Sequence, residues 1–256
     1  MSEATCLLAP NPGPMTLDGT NTWVLRGADP DREGGGGRSV VVDPGPLDDG
    51  HLAAVRAAAG EVAVVLLTHR HADHSEGAAA FAATVGCGVR AADPEFRVDD
   101  AGLEDGDVVV AAGLELQVLA TPGHTSDSVS LLVLDDGALL TGDTVLGRGT
   151  SVVAHPDGQL GAYLDSLRRL RDLAARGVAT RLLPGHGPVL DDPLGALDAY
   201  LAHRTERLEQ VRRAVAAGAG TPAEVVASVY ADVDRAVWPA AELSVAAQID
   251  YLRDGG

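Results

Sequence analysis

Lysine is absent from this chain. All 19 basic residues among its 256 are arginine, set against 37 acidic ones. The formal charge of −18 excludes recruitment of nucleic acid by the general field of the protein, which needs a basic surface. Only a local patch of reversed sign would serve. Aromatic residues make up 3% of the chain, so the core has to be built mostly from Val, Leu and Ala. Cysteine occurs twice, at Cys6 and Cys87, without the spacing of a thiolate metal site. Two buried reduced thiols are the expectation, which suits a cytoplasmic protein. No apolar run reaches the length of a membrane span. The opening Met1-Ser2-Glu3-Ala4 has neither the basic nor the apolar stretch of a signal peptide. A cytoplasmic location away from membranes is therefore expected.

Apolar residues are plentiful. At 46% hydrophobic, the chain can bury a sizeable core as one large domain, alone or with an appendix. Short strands are expected at Thr22–Arg26 and Ser39–Val42, joined by a solvated loop through Gly34–Gly37. A helix over Leu47–Ala59 and a buried strand over Val62–Leu67 come next, then a helix reaching about Val85. Further strands are expected near Val89, over Val108–Val110, Leu114–Leu119, Val129–Leu134 and Ala138–Thr141, and over Thr180–Leu183. An amphipathic helix lies between the last two, over Leu160–Arg176. Beyond Pro193 the pattern is helical only: Leu194–Ala217, Pro222–Ala231 and Pro239–Arg253. Thr221 caps the second, with Pro222 at its first position and Glu224 three residues past the cap. The expected division is a β-rich body, 1–193, and a helical module, 194–256.

The densest chemistry is the run Thr68-His69-Arg70-His71-Ala72-Asp73-His74. It sits on a tight turn between a buried strand and a helix. Imidazole and carboxylate are ligands that zinc and its neighbours prefer. His69 and His71, two apart in an extended turn, can point the same way. Asp73 and His74 lie past the bend and can serve a second site. Three later residues share one setting, a Gly/Pro-rich loop directly after a predicted strand: His124, Asp143 and His186. Any one of them alone would read as an ordinary loop residue. Four such loops together do not.

The order His-x-His-x-Asp-His, then His, then Asp, then His resembles the metallo-β-lactamase superfamily. The resemblance implies an αββα sandwich with its site on loops at one edge. It implies that His69, His71 and His124 hold one cation, that Asp73, His74 and His186 hold a second, and that Asp143 bridges both. A complete double site looks like the glyoxalase II and RNase Z side of the superfamily. The true β-lactamases lack the bridging aspartate, so antibiotic hydrolysis is disfavoured. Asn11-Pro12, Gly19-Thr20-Asn21-Thr22, the stretch Gly142–Gly147, the stretch Leu183–Val189, Tyr200–Arg204 and the helical tail resemble the β-lactamase-like protein 2 family. Members of that family carry a C-terminal winged-helix-like module; one animal branch cleaves single-stranded RNA, and a fungal branch hydrolyses polyketide thioesters.

The resemblance and the intact ligand set together imply a metal-dependent hydrolase. Two divalent cations, zinc by ligand type with iron or manganese also compatible, would share a hydroxide that attacks a carbonyl or phosphoryl centre. Asp143 would hold the pair, and Asp73 would orient the hydroxide. A small ester or thioester is the favoured substrate, and RNA, opposed by the net charge, is the alternative. A regulator with a vestigial metal site is the least favoured reading, because no ligand is missing. Asp43 could support the histidine loop or merely cap its own turn. His51 and His155 are expected to be exposed. His203 and Arg204 are expected to pack the tail against the body, and Thr20, Asn21 and Thr150 could line a cleft.

Overall fold

The computed structural model describes residues 3–27 and 37–256. The expected loop through Gly34–Gly36 lies outside the described residues. Strands β1 (Glu3–Leu8), β2 (Asn21–Arg26), β3 (Ser39–Val42), β4 (Val62–Leu66) and β5 (Val89–Arg90) form one sheet in that spatial order. The second sheet holds β6 (Val108–Ala111), β7 (Leu114–Ala120), β8 (Val129–Val133), β9 (Ala138–Gly142) and β10 (Arg181–Pro184), with β10 and β6 at its edges. Both sheets are mixed: β3–β4, β4–β5 and β9–β10 are parallel pairs, and the others are antiparallel.

Strand periodicity explains the layering. Successive residues of a strand point to opposite faces. Trp23 and Leu25 of β2, Val40 and Val42 of β3, and Val64 and Leu66 of β4 pack on Leu116, Val118, Leu131 and Leu140 of the second sheet. The alternate residues Val24, Val41 and Val65 point outward, under α1 (Asp49–Ala59) and α3 (Ala78–Val85). Burial on both faces is why these strands read as unbroken apolar runs. On the far side, α4 (Leu160–Ala175) and the first half of α5 (Pro193–Ala216) cover Leu132, Leu139 and Leu182 with Tyr163, Leu167, Leu170 and Leu197. The order is helix, sheet, sheet, helix, as expected, and the core is mostly Val and Leu.

The second half of α5 contributes Val211 to a separate small core with Val225 and Val226 of α6 (Pro222–Val229) and Val245 and Ile249 of α7 (Trp238–Arg253). Thr221 caps α6 reciprocally with Glu224: the Glu224 amide donates to Thr221 Oγ1 at 3.2 Å, and the Thr221 amide donates to Glu224 Oε2 at 3.1 Å. No strand occurs among the described residues after β10, and no helix among the described residues is long and apolar enough to cross a membrane.

Several details differ from the sequence reading. Strand β1 was not foreseen, because an edge strand burying little of itself carries a weak pattern. The helix expected after the histidine run is broken in two. A single turn, α2 (Ala72–Ser75), precedes α3, and Gly77 separates them where a Cβ would lie 2.9 Å from Leu52 Cδ2 and Pro46 O. Cys6 is exposed on β1 and Cys87 is half-buried, so the expectation of two buried thiols does not hold. His51 is buried, not exposed: the start of α1 turns its ring inward, with Nε2 2.9 Å from Thr22 Oγ1.

Candidate metal centre

Four loops meet at one rim of the sandwich, each directly following the C-terminal end of a strand. The β4 loop and α2 carry His69, His71, Asp73 and His74. The β7–β8 loop carries His124, the residue after β9 is Asp143, and the β10 loop carries His186. Glycine lets these loops crowd together. A Cβ on Gly142 would lie 2.5 Å from Thr68 Oγ1, and one on Gly185 would lie 2.5 Å from Asp143 Oδ1.

All seven residues singled out in the sequence converge. His71 Nδ1 lies 3.0 Å from both His69 Nε2 and His124 Nε2. Beside this trio, His186 Nε2 lies 3.3 Å from His74 Nε2 and 3.2 Å from Asp73 Oδ2, and His74 Nε2 lies 3.4 Å from Asp73 Oδ2. Asp143 reaches both groups: its Oδ2 is 3.3 Å from His186 Nε2 and 3.8 Å from His124 Nε2, and its Oδ1 is 3.4 Å from His74 Nε2. Each trio offers ligand atoms within 4.8 Å of one another, a set able to hold a metal ion.

Surrounding acceptors fix which ring nitrogen faces inward. His74 Nδ1 is 2.8 Å from Asp43 Oδ2, His124 Nδ1 is 2.6 Å from Val152 O, and His186 Nδ1 is 3.0 Å from Gly19 O. His69 Nδ1 is 3.0 Å from Thr68 Oγ1, whose own proton goes to Asp43 Oδ2 at 2.6 Å. With a proton on each Nδ1, the Nε2 atoms face the centre, the arrangement usual for metal-ligating histidines.

Asp43 also belongs to a possible ligand trio with His69 and His74. Its oxygens are already engaged by the Thr68 amide at 2.8 Å, the Thr68 hydroxyl and His74 Nδ1. It therefore supports the loop and the ring of His74, which decides between the two roles the sequence left open.

Electrostatics separate the two trios. Burial holds His69 and His71 below the usual imidazole value and brings His124 down to about 4, so all three stay neutral. Burial acts the same way on His74, but the charges of Asp143 and Asp43 outweigh it and hold that ring well above its usual value. In His186, hydrogen bonds to Asp143 and Asp73 overcome burial and lift the ring to about 9. Burial would raise Asp73, yet the His186 hydrogen bond and the His74 charge bring it to about 2. Asp143 is likewise held well below the carboxylate range, His74 and His186 outweighing its burial. The carboxylates thus demand positive charge here, which two imidazolium protons supply. A divalent cation fits the same place. Asp143 Oδ1 points to it independently, being buried with no hydrogen-bond partner.

The other sequence candidates divide. The buried Thr20 hydroxyl donates to Asp73 Oδ2 at 2.9 Å while accepting from Asn11 Nδ2 at 3.0 Å. Asn21 Nδ2 donates to Pro184 O and Gly187 O, pinning the His186 loop and leaving Asn21 a structural part. Thr150 lines a cavity of about 420 Å³ that opens against His124 and Asp143. His155 pairs with Asp250 of α7 at 2.9 Å and does not line that cavity. Arg204 does join tail to body: it is buried, donates to Ser151 O and stacks on Tyr163. Sequence reasoning missed Thr68, Ser151 and the Gly19 and Val152 carbonyls. No local signal marks them; Ser151, whose Oγ is 3.0 Å from His124 Nδ1, lies 27 residues from that ligand.

Comparison with known proteins agrees with this geometry. The sequence pattern of the metallo-beta-lactamase superfamily matches residues 15–98 and 90–186, and that of the beta-lactamase associated winged helix domain matches 221–255. The "Beta-lactamase-like protein 2 homolog" of Caenorhabditis elegans is 34% identical over 93% of this chain and 80% of its own length. The homolog of the same name from Drosophila melanogaster is 30% identical over 100% of this chain and 89% of its own length. Among solved structures, the metallo-beta-lactamase family protein TTHA1429 of Thermus thermophilus superposes with a TM-score of 0.79 at 25% identity, covering 98% of this chain and 93% of that one. TTHA1623 superposes with a TM-score of 0.57 at 25% identity, covering 75% of this chain and 96% of that one.

Proposed function

The chain belongs to the metallo-beta-lactamase superfamily, and from that premise we propose that it is a dinuclear metal-dependent hydrolase of a carboxylic thioester or ester. The observation that carries the reading is the pair of buried His/Asp trios sharing Asp143. His69, His71 and His124 would hold one cation, Asp73, His74 and His186 the other, and Asp143 both. Zinc suits this donor set, and iron is compatible with it: TTHA1623 has been solved in a di-iron-bound form. A cation pair held there would polarise the scissile carbonyl and make water a nucleophile at neutral pH.

The chain's own residues do the rest. Burial keeps three imidazoles neutral, and the Nδ1 contacts of His69 and His124 keep their Nε2 lone pairs aimed inward, while His71 presents Nδ1. Asp73, ionised and held by the Thr20 hydroxyl, would orient the attacking water. The cavity at His124 and Asp143 has the size of a small-molecule site, roughly 300–1,000 Å³.

The test has two parts. Metal analysis of the purified protein should give two equivalents per chain; one or none would refute the dinuclear centre. Acyl thioesters, esters and single-stranded RNA should then be offered side by side, with Asp143→Ala as control. Thioester or ester turnover that Asp143→Ala abolishes is expected. RNA cleavage without ester turnover, abolished by the same substitution, would replace the esterase reading with a nuclease.

A further inference from the structure

The cavity beside His124 and Asp143 is walled partly by the tail. Met15, Leu17 and Leu146 line it from the body, and Val233, Val237 and Ala241 from the tail, so much of its wall is apolar. Three arginines and a histidine also line it: Arg148, Arg204, Arg207 and His203. Arg148 is neutralised by a bidentate pair with Asp18 at 2.6 and 2.9 Å. The other two arginines have only neutral partners.

Arg204, 7% exposed, donates through Nη2 to Ser151 O and lies over the Tyr163 ring, and its buried Nε has no hydrogen-bond partner. Arg207 donates to Gln210 Oε1 at 2.7 Å and Val229 O at 3.2 Å and stacks 4.2 Å over Tyr230. His203 Nδ1, on the same helix, is buried and equally unpartnered. Among the described residues no carboxylate comes within ion-pair distance of Arg204 or Arg207, although acidic residues outnumber basic ones 37 to 19 in this chain. Burying the Arg204 guanidinium without an anion is costly, and the half-buried Arg207 beside it also lacks one, so the site has a deficit of negative charge that a ligand can fill. Planar guanidinium donors favour carboxylate or phosphate oxygens.

We propose that Arg204 and Arg207, with His203, bind an anionic oxygen group of the substrate, whose apolar part packs on the Val, Leu and Met wall of the cavity while its carbonyl faces Asp143. This deepens the hydrolase reading and rests on it for the position of the carbonyl. The anion has two possible sources, a carboxylate at the far end of the acyl group or a phosphate on the thiol leaving group.

The experiment compares three thioesters on the metal-loaded protein: the adipyl mono-thioester of N-acetylcysteamine, the neutral hexanoyl thioester of the same thiol, and the hexanoyl thioester of phosphopantetheine. One anionic substrate should exceed the neutral one about tenfold or more in kcat/KM, mainly through KM, as hydrogen bonds to charged groups require. Whichever does so identifies the source. Arg207→Gln should collapse that ratio toward one, while Arg235→Gln, on the tail but outside the cavity, should preserve it. Equal turnover of charged and neutral thioesters by the unsubstituted protein, or a ratio that survives Arg207→Gln, overturns the proposal. Calorimetric titration of adipate and of phosphopantetheine gives a readout independent of hydrolysis. Binding of either that weakens in Arg207→Gln, without turnover of any thioester, sustains the anion site and sinks the hydrolase reading. A single-stranded oligoribonucleotide that binds through Arg207 in preference to both small anions overturns the small-molecule assignment.

Discussion

Replacing Gly185 with alanine should weaken metal binding at the centre while leaving the fold intact. The added Cβ would stand 2.5 Å from Asp143 Oδ1 and 2.7 Å from His74 Cε1. A carbon and an oxygen in contact normally lie roughly 3.3 Å apart, so the methyl overlaps the carboxylate by about 0.8 Å. Neither neighbour can yield, because Asp143 is shared by both trios and the His74 ring is tied to Asp43. Metal sites tolerate displacements of only about 0.2 Å. Gly185 is not in the left-handed region, so alanine there adds no backbone strain. A loss at least as large as that from disturbing outer ligand partners is expected, about 10- to 100-fold in metal affinity. That corresponds to about 1.4–2.7 kcal/mol of metal-dependent stabilisation, or roughly 3–10 °C in the melting temperature of the metal-loaded protein. The assay is metal content together with thermal unfolding, with and without chelator. Gly177→Ala is the contrasting control: its φ is 70° and its Cβ would meet nothing within 4 Å. It should cost about 1–2 kcal/mol in folding through backbone strain and leave metal content unchanged. If Gly185→Ala binds metal as tightly as the unsubstituted protein, the reasoning about the crowded rim is wrong.

Other consequences are as direct. His74 and His186 carry protons in the unloaded centre, His186 up to about pH 9, so each should release one when metal binds near pH 7.5. Calorimetry in buffers of different ionisation enthalpy would measure about two protons, and none would refute the assignment. In the metal-free protein, the raised His186 stabilises the fold fully below pH 6.5, and this contribution fades as pH rises through about 9. His124, held down to about 4, acts oppositely: its contribution is present above pH 6.5 and fades as pH falls through about 4. Chelated protein should accordingly lose stability toward both ends, as denaturant midpoints across pH would show. Arg204→Met should weaken metal binding at a distance, since Arg204 holds Ser151 and Ser151 contacts His124; metal titration showing unchanged affinity would sever that link. Thr221→Ala, removing the cap of α6, should cost about 1 kcal/mol by denaturant unfolding while metal content stays the same.

The primary sequence by itself determined the seven converging residues and the layered fold around them. Imidazole and carboxylate are the only plentiful side chains here that hold hard and borderline cations, and they stood in glycine-bracketed loops at strand ends, a local and readable pattern. Unbroken apolar runs such as Val62–Leu67 announced strands buried on both faces, and the shortage of aromatics announced a Val/Leu core. Only the tertiary structure decided what surrounds those residues. Asp43 became a support for His74 because β3 and β4 lie side by side and bring it against a loop 31 residues away. His51 proved buried because burial belongs to a residue's neighbours and not to its type. Ser151 and Arg204, 53 residues apart, met because the tail folds back over the body, and that same return leaves two arginines without carboxylates beside the cavity. Ligand chemistry is written in residue types and short spacings. The contacts that orient the ligands, and those that would choose a substrate, depend on which distant surfaces the packing of apolar layers brings together.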